Sequence, residues 1–211
     1  MFPLVCFVLI AFVGTASVAG KTFHVKTASE LSAALKEVKS NDHIELADGE
    51  YHGVFVARGT GPITLSGSRK AILSSNTYGL HLEGCSRWNV KGFTIHNSKK
   101  GLVLDKSNNN IIDSIEVHHI DEEGIHFRQG SSDNVLQNSY VHNTGLKAPG
   151  FGEGVYIGSA VSLILCIHSK ILTQTLINRS KTGQMVSQII PIEIVWSTIE
   201  LGRTLQQNAL T

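Results

Sequence analysis

A glycine followed by alternating apolar residues recurs four times between residues 79 and 158. The openings are Gly79-Leu80-His81-Leu82-Glu83, Gly101-Leu102-Val103-Leu104-Asp105, Gly124-Ile125-His126-Phe127-Arg128 and Gly154-Val155-Tyr156-Ile157-Gly158, spaced 22, 23 and 30 residues apart. A second alternating run follows the first three, at 89–95, 111–117 and 135–141, and His96, His118 and His142 then recur in one column. Periods of about 20 to 30 residues, built from short strands with Gly, Asn and Ser at the corners, mark a solenoid. No helix-length pattern lies inside a repeat, so a leucine-rich horseshoe fits poorly. The expected fold is all-β: a right-handed parallel β-helix of 22–30-residue coils.

Geometry turns the repeat into columns. Strands of successive coils stack roughly 4.8 Å apart and side chains alternate in and out. Leu80, Leu102, Ile125 and Val155 form one inward stack, and Leu82, Leu104, Phe127 and Ile157 the next. His81, Val103, His126 and Tyr156 then face outward, as do Glu83, Asp105, Arg128 and Gly158. Lys100, Glu123 and Glu153 share the turn position just before a glycine. Asn108-Asn109-Asn110 and Asn134 fall at another corner, where Asn tolerates left-handed backbone and can ladder its amides.

Upstream of the repeat, Thr27 and Glu30 form a T-x-x-E capping box, and Leu31, Ala34, Leu35 and Val38 follow at the spacing of one buried helix face. An amphipathic helix is expected over 27–39, capping the N-terminal end of the stack. Short alternating runs follow Asn41-Asp42, separated by turn signals at Asp48-Gly49 and Thr60-Gly61-Pro62.

Residues 1–20 carry no charged side chain, and Leu4–Val13 is an unbroken apolar run followed by small residues. That pattern is expected of a secretory signal peptide, the run falling short of the roughly 20 residues a membrane span needs. The mature domain is then 21–160, secreted, with no membrane association after cleavage, its clearest coils at 79–158. Eighteen basic against 17 acidic residues leave a net charge of +1. That balance excludes a nucleic-acid-coating protein, whose affinity rests on clustered positive charge, and a monomer is expected. With Cys6 lost in the leader, Cys85 and Cys166 remain; they could pair, but no disulfide framework is implied.

The segments ADGEY, YGLHLEG, GIHFR, SSDNVLQNSYVHNTG and FGEGVYIGSA resemble those of secreted right-handed β-helix proteins of the pectate-lyase-like superfamily, over roughly residues 22–160. The resemblance implies an extracellular carbohydrate-active scaffold. It leaves the reaction open, since the superfamily holds lyases, hydrolases, epimerases and proteins of unassigned role. Gly152-Glu153-Gly154-Val155 is similar to the G-E-x-E calcium-binding stretch of the chondroitinase and alginate-lyase branch, with Val155 where the second Glu belongs. The polygalacturonase motifs N-T-D, G-H-G and R-I-K do not occur.

The outward residues of coils three and four are the candidate site. Elimination on a polyuronate needs a cation against the carboxylate, a base for the acidified proton at C5 and an acid for the leaving oxygen. Arg128 is expected to neutralise the carboxylate, with His126 or Tyr156 moving the proton. His81 and Asp105 join Arg128 in binding an acidic polysaccharide such as pectate. Glu123 and Glu153 are the candidate oxygen ligands for Ca²⁺. Against this stands a purely structural reading, in which Asp105 or Glu123 simply pairs with Arg128 on a non-catalytic, carbohydrate-binding or surface-interaction β-helix. The His96, His118, His142 column, extended by His119, lacks the Cys or carboxylate that would complete a familiar zinc spacing. Cys85 and Trp88 are expected to be turn packing.

After Ala160 the repeat does not return: no glycine occurs between Gly158 and Gly183, and no acidic residue between Val161 and Ile192. The tail, 161–211, is expected to be either an unfamiliar C-terminal cap or, as the preferred reading, the translation of an unspliced intron beginning near Val161-Ser162. Asn178-Arg179-Ser180 in this tail is the only glycosylation sequon outside the leader.

Overall fold

The computed structural model describes residues 19–158, and beyond them the backbone of three short strands, Ser169–Ile171, Leu176–Arg179 and Val186–Ile189. The expected fold is found. The chain winds as a solenoid of about six turns with three strand-bearing faces. The first face stacks Thr22–Val25, His43–Leu46, Thr60–Gly67, Ser86–Lys91, Ile111–Asp113, Asn134–Gln137 and Ser169–Ile171, all parallel. The long strands Ala71–Glu83 and Thr94–Asp105 bend to run through both the second and the third face. In the other coils that path is split, as Gly49–His52 with Val56–Ala57, Glu116–Ile120 with Ile125–Arg128, and Tyr140–His142 with Val155–Ile157.

Every face sends apolar residues inward in columns. Ile44, Leu65, Val90, Ile112 and Leu136 are in register on the first face, and Tyr51, Leu73, Ile95, Val117 and Val141 on the second. The third face contributes two columns, as the alternation predicts: Leu80, Leu102, Ile125 and Val155, then Leu82, Leu104, Phe127 and Ile157. All are fully buried except Val155 and Ile157, which are half-buried against the same core. The glycines that open the first three repeats, Gly79, Gly101 and Gly124, are packing requirements. A Cβ on Gly79 would meet Ile95 Cγ2 at 2.2 Å, and one on Gly101 would meet the Gly124 carbonyl oxygen at 2.2 Å.

Four corners per coil turn through left-handed backbone, and these residues also align. Gly84, Lys106 and Gln129 form one set; Arg87, Asn109 and Asp133 a second; Gly92, Ser114 and Asn138 a third; Asn97, His119 and Asn143 a fourth. The corners are tied by side-chain ladders of the kind expected for Asn110 and Asn134: Asn110 Nδ2 donates to Asn134 Oδ1 at 2.9 Å, and Trp88 N donates to Asn110 Oδ1 at 2.9 Å. A second ladder runs through Ser107 and Ser131, with Cys85 N donating to Ser107 Oγ at 3.0 Å. Cys85 and Trp88 are thus turn packing. The Cys85 thiol is free and buried, and burial pushes its pKa up to about 12; Cys166 lies outside the described residues.

The helix spans Ala28–Glu37, with Thr27 as N-cap and both bonds of the capping box formed to Glu30. It ends two residues before the expected Lys39, because Val38 turns to extended backbone (ψ 138°). Leu31, Ala34 and Leu35 enter the common core, so the helix caps the stack as expected. One strand, Thr22–Val25, precedes it and pairs with His43–Leu46. Its four residues are too few for periodicity to reveal.

The signal-peptide reading falls on residues outside those described, apart from Ala19 and Gly20. Among the described residues no helix is long and apolar enough to cross a membrane. In the tail, Ser169–Ile171 pairs parallel with Asn134–Leu136 and Leu176–Ile177 pairs parallel with Tyr140–Val141, whereas Val186–Ile189 pairs antiparallel with Leu176–Arg179. The intron reading otherwise concerns residues outside those described.

Candidate functional site

Parallel register brings residues far apart in sequence onto one strip of the third face. Glu83 lies beside Asp105 and Asp105 beside Arg128; His81 lies beside Val103, Val103 beside His126, and His126 beside Tyr156. Asp105 is the hub. His81 Nε2 lies 2.8 Å from its Oδ2, and Arg128 donates to it twice, Nε to Oδ1 at 2.6 Å and Nη2 to Oδ2 at 2.9 Å. Burial would raise the Asp105 pKa, but the bonds from His81 and Arg128 outweigh it and hold the carboxyl at about 2. The bond to Asp105, chiefly, holds the guanidinium above its usual range. Arg128 also crosses two coils to donate from Nη2 to the Tyr78 hydroxyl at 3.1 Å, with the guanidinium 5.3 Å from the centre of that ring. Tyr78 in turn meets His81 edge to face, 5.3 Å between centroids. Val103, in register between His81 and His126, is fully buried yet lies outside the apolar core.

A second group adjoins the first. Lys100 Nζ binds Glu122 Oε2 at 2.8 Å and also Glu123 Oε2. Burial would lower the Lys100 pKa; the two glutamates raise it above the usual value instead. His126 is only 6% exposed. Its Nε2 faces the Gly158 carbonyl oxygen at 3.0 Å, and its Nδ1 lies 3.5 Å from Glu123 Oε1 without a hydrogen-bond partner. Burial holds its pKa below the usual imidazole value, against the pull of Gly158 and Glu123. Tyr156 lies over the His126 ring, centroids 4.4 Å apart.

The structure therefore joins His81, Asp105 and Arg128 in one hydrogen-bonded network, and sets His126 beside it between the Tyr156 ring and the Glu123 carboxylate. The Asp105–Arg128 pair anticipated by the structural reading is formed, whereas Glu123 pairs with Lys100. Glu153 is held one coil from Glu123, the Gly124 N–H donating to the Glu153 carbonyl at 2.9 Å. These two carboxylates do not make a calcium shell as they stand. Ca²⁺ takes about six to eight oxygens, Glu123 is already bound by Lys100, and among the described residues no three His, Cys, Asp or Glu converge as metal ligands.

Tyr78 is the residue that sequence reasoning missed. It pairs in register with Lys100 and so opens the Lys100, Glu123, Glu153 turn column one coil earlier. The signal was its place immediately before Gly79.

The other outward cluster lies on the second face. His118 is in register with His96 and His142, ring centroids 5.3 and 5.1 Å away, and Tyr140 stacks on His142 at 4.2 Å. His119 occupies a left-handed corner (φ 53°) and touches the ladder from the side, its Nδ1 2.6 Å from His118 Nδ1. Burial lowers the His118 pKa to about 4, with His142, His119 and His96 adding to the shift against the pull of Glu116.

Comparison with known proteins bears on the fold that carries these residues. A family model described as the right handed beta helix region matches residues 37–173. No curated protein matches the sequence. Among solved structures, an alginate lyase from Paenibacillus sp. str. FPU-7 is 35% identical with a TM-score of 0.67, over 74% of this chain and 61% of its own. This chain thus spans less than two thirds of that enzyme's length. Pectate lyase Pel9A is 17% identical with a TM-score of 0.60, over 75% of this chain and 48% of its own. The PL6 family alginate lyase AlyGC is 19% identical with a TM-score of 0.52, over 72% and 23%. The likeness to these last two is one of fold.

Proposed function

The chain belongs to the right-handed β-helix family, and from that premise we propose that it is a secreted polysaccharide lyase cleaving an acidic polysaccharide, a polyuronate, by β-elimination. The observation that carries this reading is the Arg128 guanidinium, fixed on the outer face by Asp105 with the Tyr78 hydroxyl beside it. Nε and Nη2 are engaged, which leaves Nη1 to receive a uronate carboxylate and draw charge from it. The proton at C5 passes to a base, the C4–O bond breaks as the C4–C5 double bond forms, and the leaving oxygen takes a proton. Tyr78 is the candidate for that acid, its oxygen accepting from Arg128 while its own proton can be given. His126, where burial favours the uncharged ring, and Tyr156 against it are the candidates for the base. The 35% identity to an alginate lyase supports the substrate class.

A second reading, a non-catalytic carbohydrate-binding β-helix, is favoured by one specific feature: Asp105 with Arg128, and Glu123 with Lys100, already satisfy one another's charges. Ultraviolet detection of unsaturated uronide on alginate and pectate, with and without added Ca²⁺, separates the two. Turnover that falls at least about tenfold in Arg128→Lys, which cannot keep the planar two-point contact, supports the lyase. Binding without turnover supports the second reading. Neither binding nor turnover by the unaltered protein overturns both.

A further inference from the structure

A cavity of about 340 Å³ opens on the N-terminal side of the Arg128 network. It lies between the chain at Val54, Phe55 and Val56 and the side chains of Tyr78, His81 and Lys99. Its size falls at the lower end of the roughly 300–1,000 Å³ seen for small-molecule sites. Tyr78 and His81 are shared walls: each touches the Asp105–Arg128 network and each lines the cavity. The cavity also crosses coils, since Val56 is in register with His81 and Tyr78 with Lys100, the neighbour of Lys99. A polymer lying along the solenoid axis with one unit at Arg128 would place a neighbouring unit here.

The lining has two chemistries. Val54 is an apolar side chain left 65% exposed at the rim, where it can receive the C–H face of a sugar ring. Lys99 supplies the charge. Its side chain is 54% exposed and tethered only at 3.4 Å to Glu122, so it can turn toward an incoming carboxylate. Glu122 keeps its closer bond to Lys100 in that event. We propose that this cavity is a second uronate subsite, with Lys99 binding the carboxylate of the unit next to the one held by Arg128 and Val54 packing against its ring. The inference rests on the lyase reading for its ligand class, but it assigns residues that the reaction itself does not use.

The experiment is calorimetric titration of the full chain with a single uronate and with uronate oligomers of two to six units, comparing the unaltered protein with Lys99→Gln and Val54→Trp. Neither residue bonds to Asp105 or Arg128, and both lie at the surface, so folding is checked by the melting curve alone. The subsite predicts that affinity rises with chain length in the unaltered protein. Lys99→Gln should lose about tenfold in affinity for the dimer and every longer oligomer, the scale of one charge-assisted contact, with the single uronate unchanged. Val54→Trp, which fills the cavity, should abolish the gain with length. Equal affinities for all three proteins at every length would overturn the subsite while leaving the lyase reading standing. Absence of uronate binding by the unaltered protein would overturn both.

Discussion

On the second face His96, His118 and His142 lie one above another, whereas the matching outward column of the third face reads His81, Val103, His126 and Tyr156. Both columns ride on the same coils and are set by the same strand spacing. The histidine ladder repeats one side chain, whose rings meet edge to face between His96 and His118 and stack between His118 and His142, and burial keeps its central member uncharged. The third face brings unlike groups together: an acid, a guanidinium, an imidazole and a phenol converge from three coils. Repetition in a solenoid serves the stack; departure from repetition at adjacent coils is where chemistry collects.

The comparison depends on a common apolar interior, and breaking that interior should erase both faces. Leu104→Asp places a charge in a fully buried column between Leu82 and Phe127. The expected result is loss of the cooperative melt, because an unpaired buried charge exceeds the few kcal/mol by which such domains are stable. An unchanged melt would mean the inward column is misassigned. Removing one acid from each face sharpens the contrast. Asp105→Ala leaves Arg128 unpaired in a mostly buried setting and should cost about 3 kcal/mol. Glu116→Ala removes a partner of His142 that is itself 29% exposed and should cost at most about 1 kcal/mol. Denaturant titration of the two variants reads the difference directly; equal losses would contradict the distinction between the faces.

Acid should take the two regions apart in sequence. His118 binds its proton in the unfolded chain near pH 6.5 but in the folded one only near 4, so its contribution is intact above 6.5 and is lost as pH falls through 4. Asp105 shifts from 3.8 to about 2, so its contribution, on the order of 2 kcal/mol, persists to about pH 4 and is lost as pH falls toward 2. Melting temperature against pH should therefore show two descents. His118→Gln should flatten the upper one and Asp105→Asn the lower one. A smaller effect is expected for His142→Ala at neutral pH, about 1 kcal/mol from lost ring contacts.

How much of this was legible in the sequence differs between interior and exterior. The inward columns and the outward set His81, Asp105, His126, Arg128 follow from glycine spacing and strand alternation alone, and the register bears them out. The capping box of the helix was equally plain, because both of its bonds are local. Pairing choices were not legible. Alternation puts Arg128 and Asp105 on the outside and the repeat puts Glu123 at a turn, but only side-chain reach decides that Arg128 takes Asp105 and crosses to Tyr78 while Lys100 takes Glu123. The strand Thr22–Val25 was hidden for another reason: its pattern is mostly exposed, and its pairing to His43–Leu46 skips over the helix. His119 shows the same limit, since a left-handed corner takes it out of the strand's alternation.

The most direct measurement is a side-by-side titration of one uronate hexamer against Arg128→Lys and His118→Gln, with melting curves of both. The account predicts at least about a tenfold loss of affinity in Arg128→Lys and none in His118→Gln, with both variants folded. Unchanged affinity in Arg128→Lys, or a loss confined to His118→Gln, would contradict the claim that the mixed strip rather than the repeated ladder is the carbohydrate site.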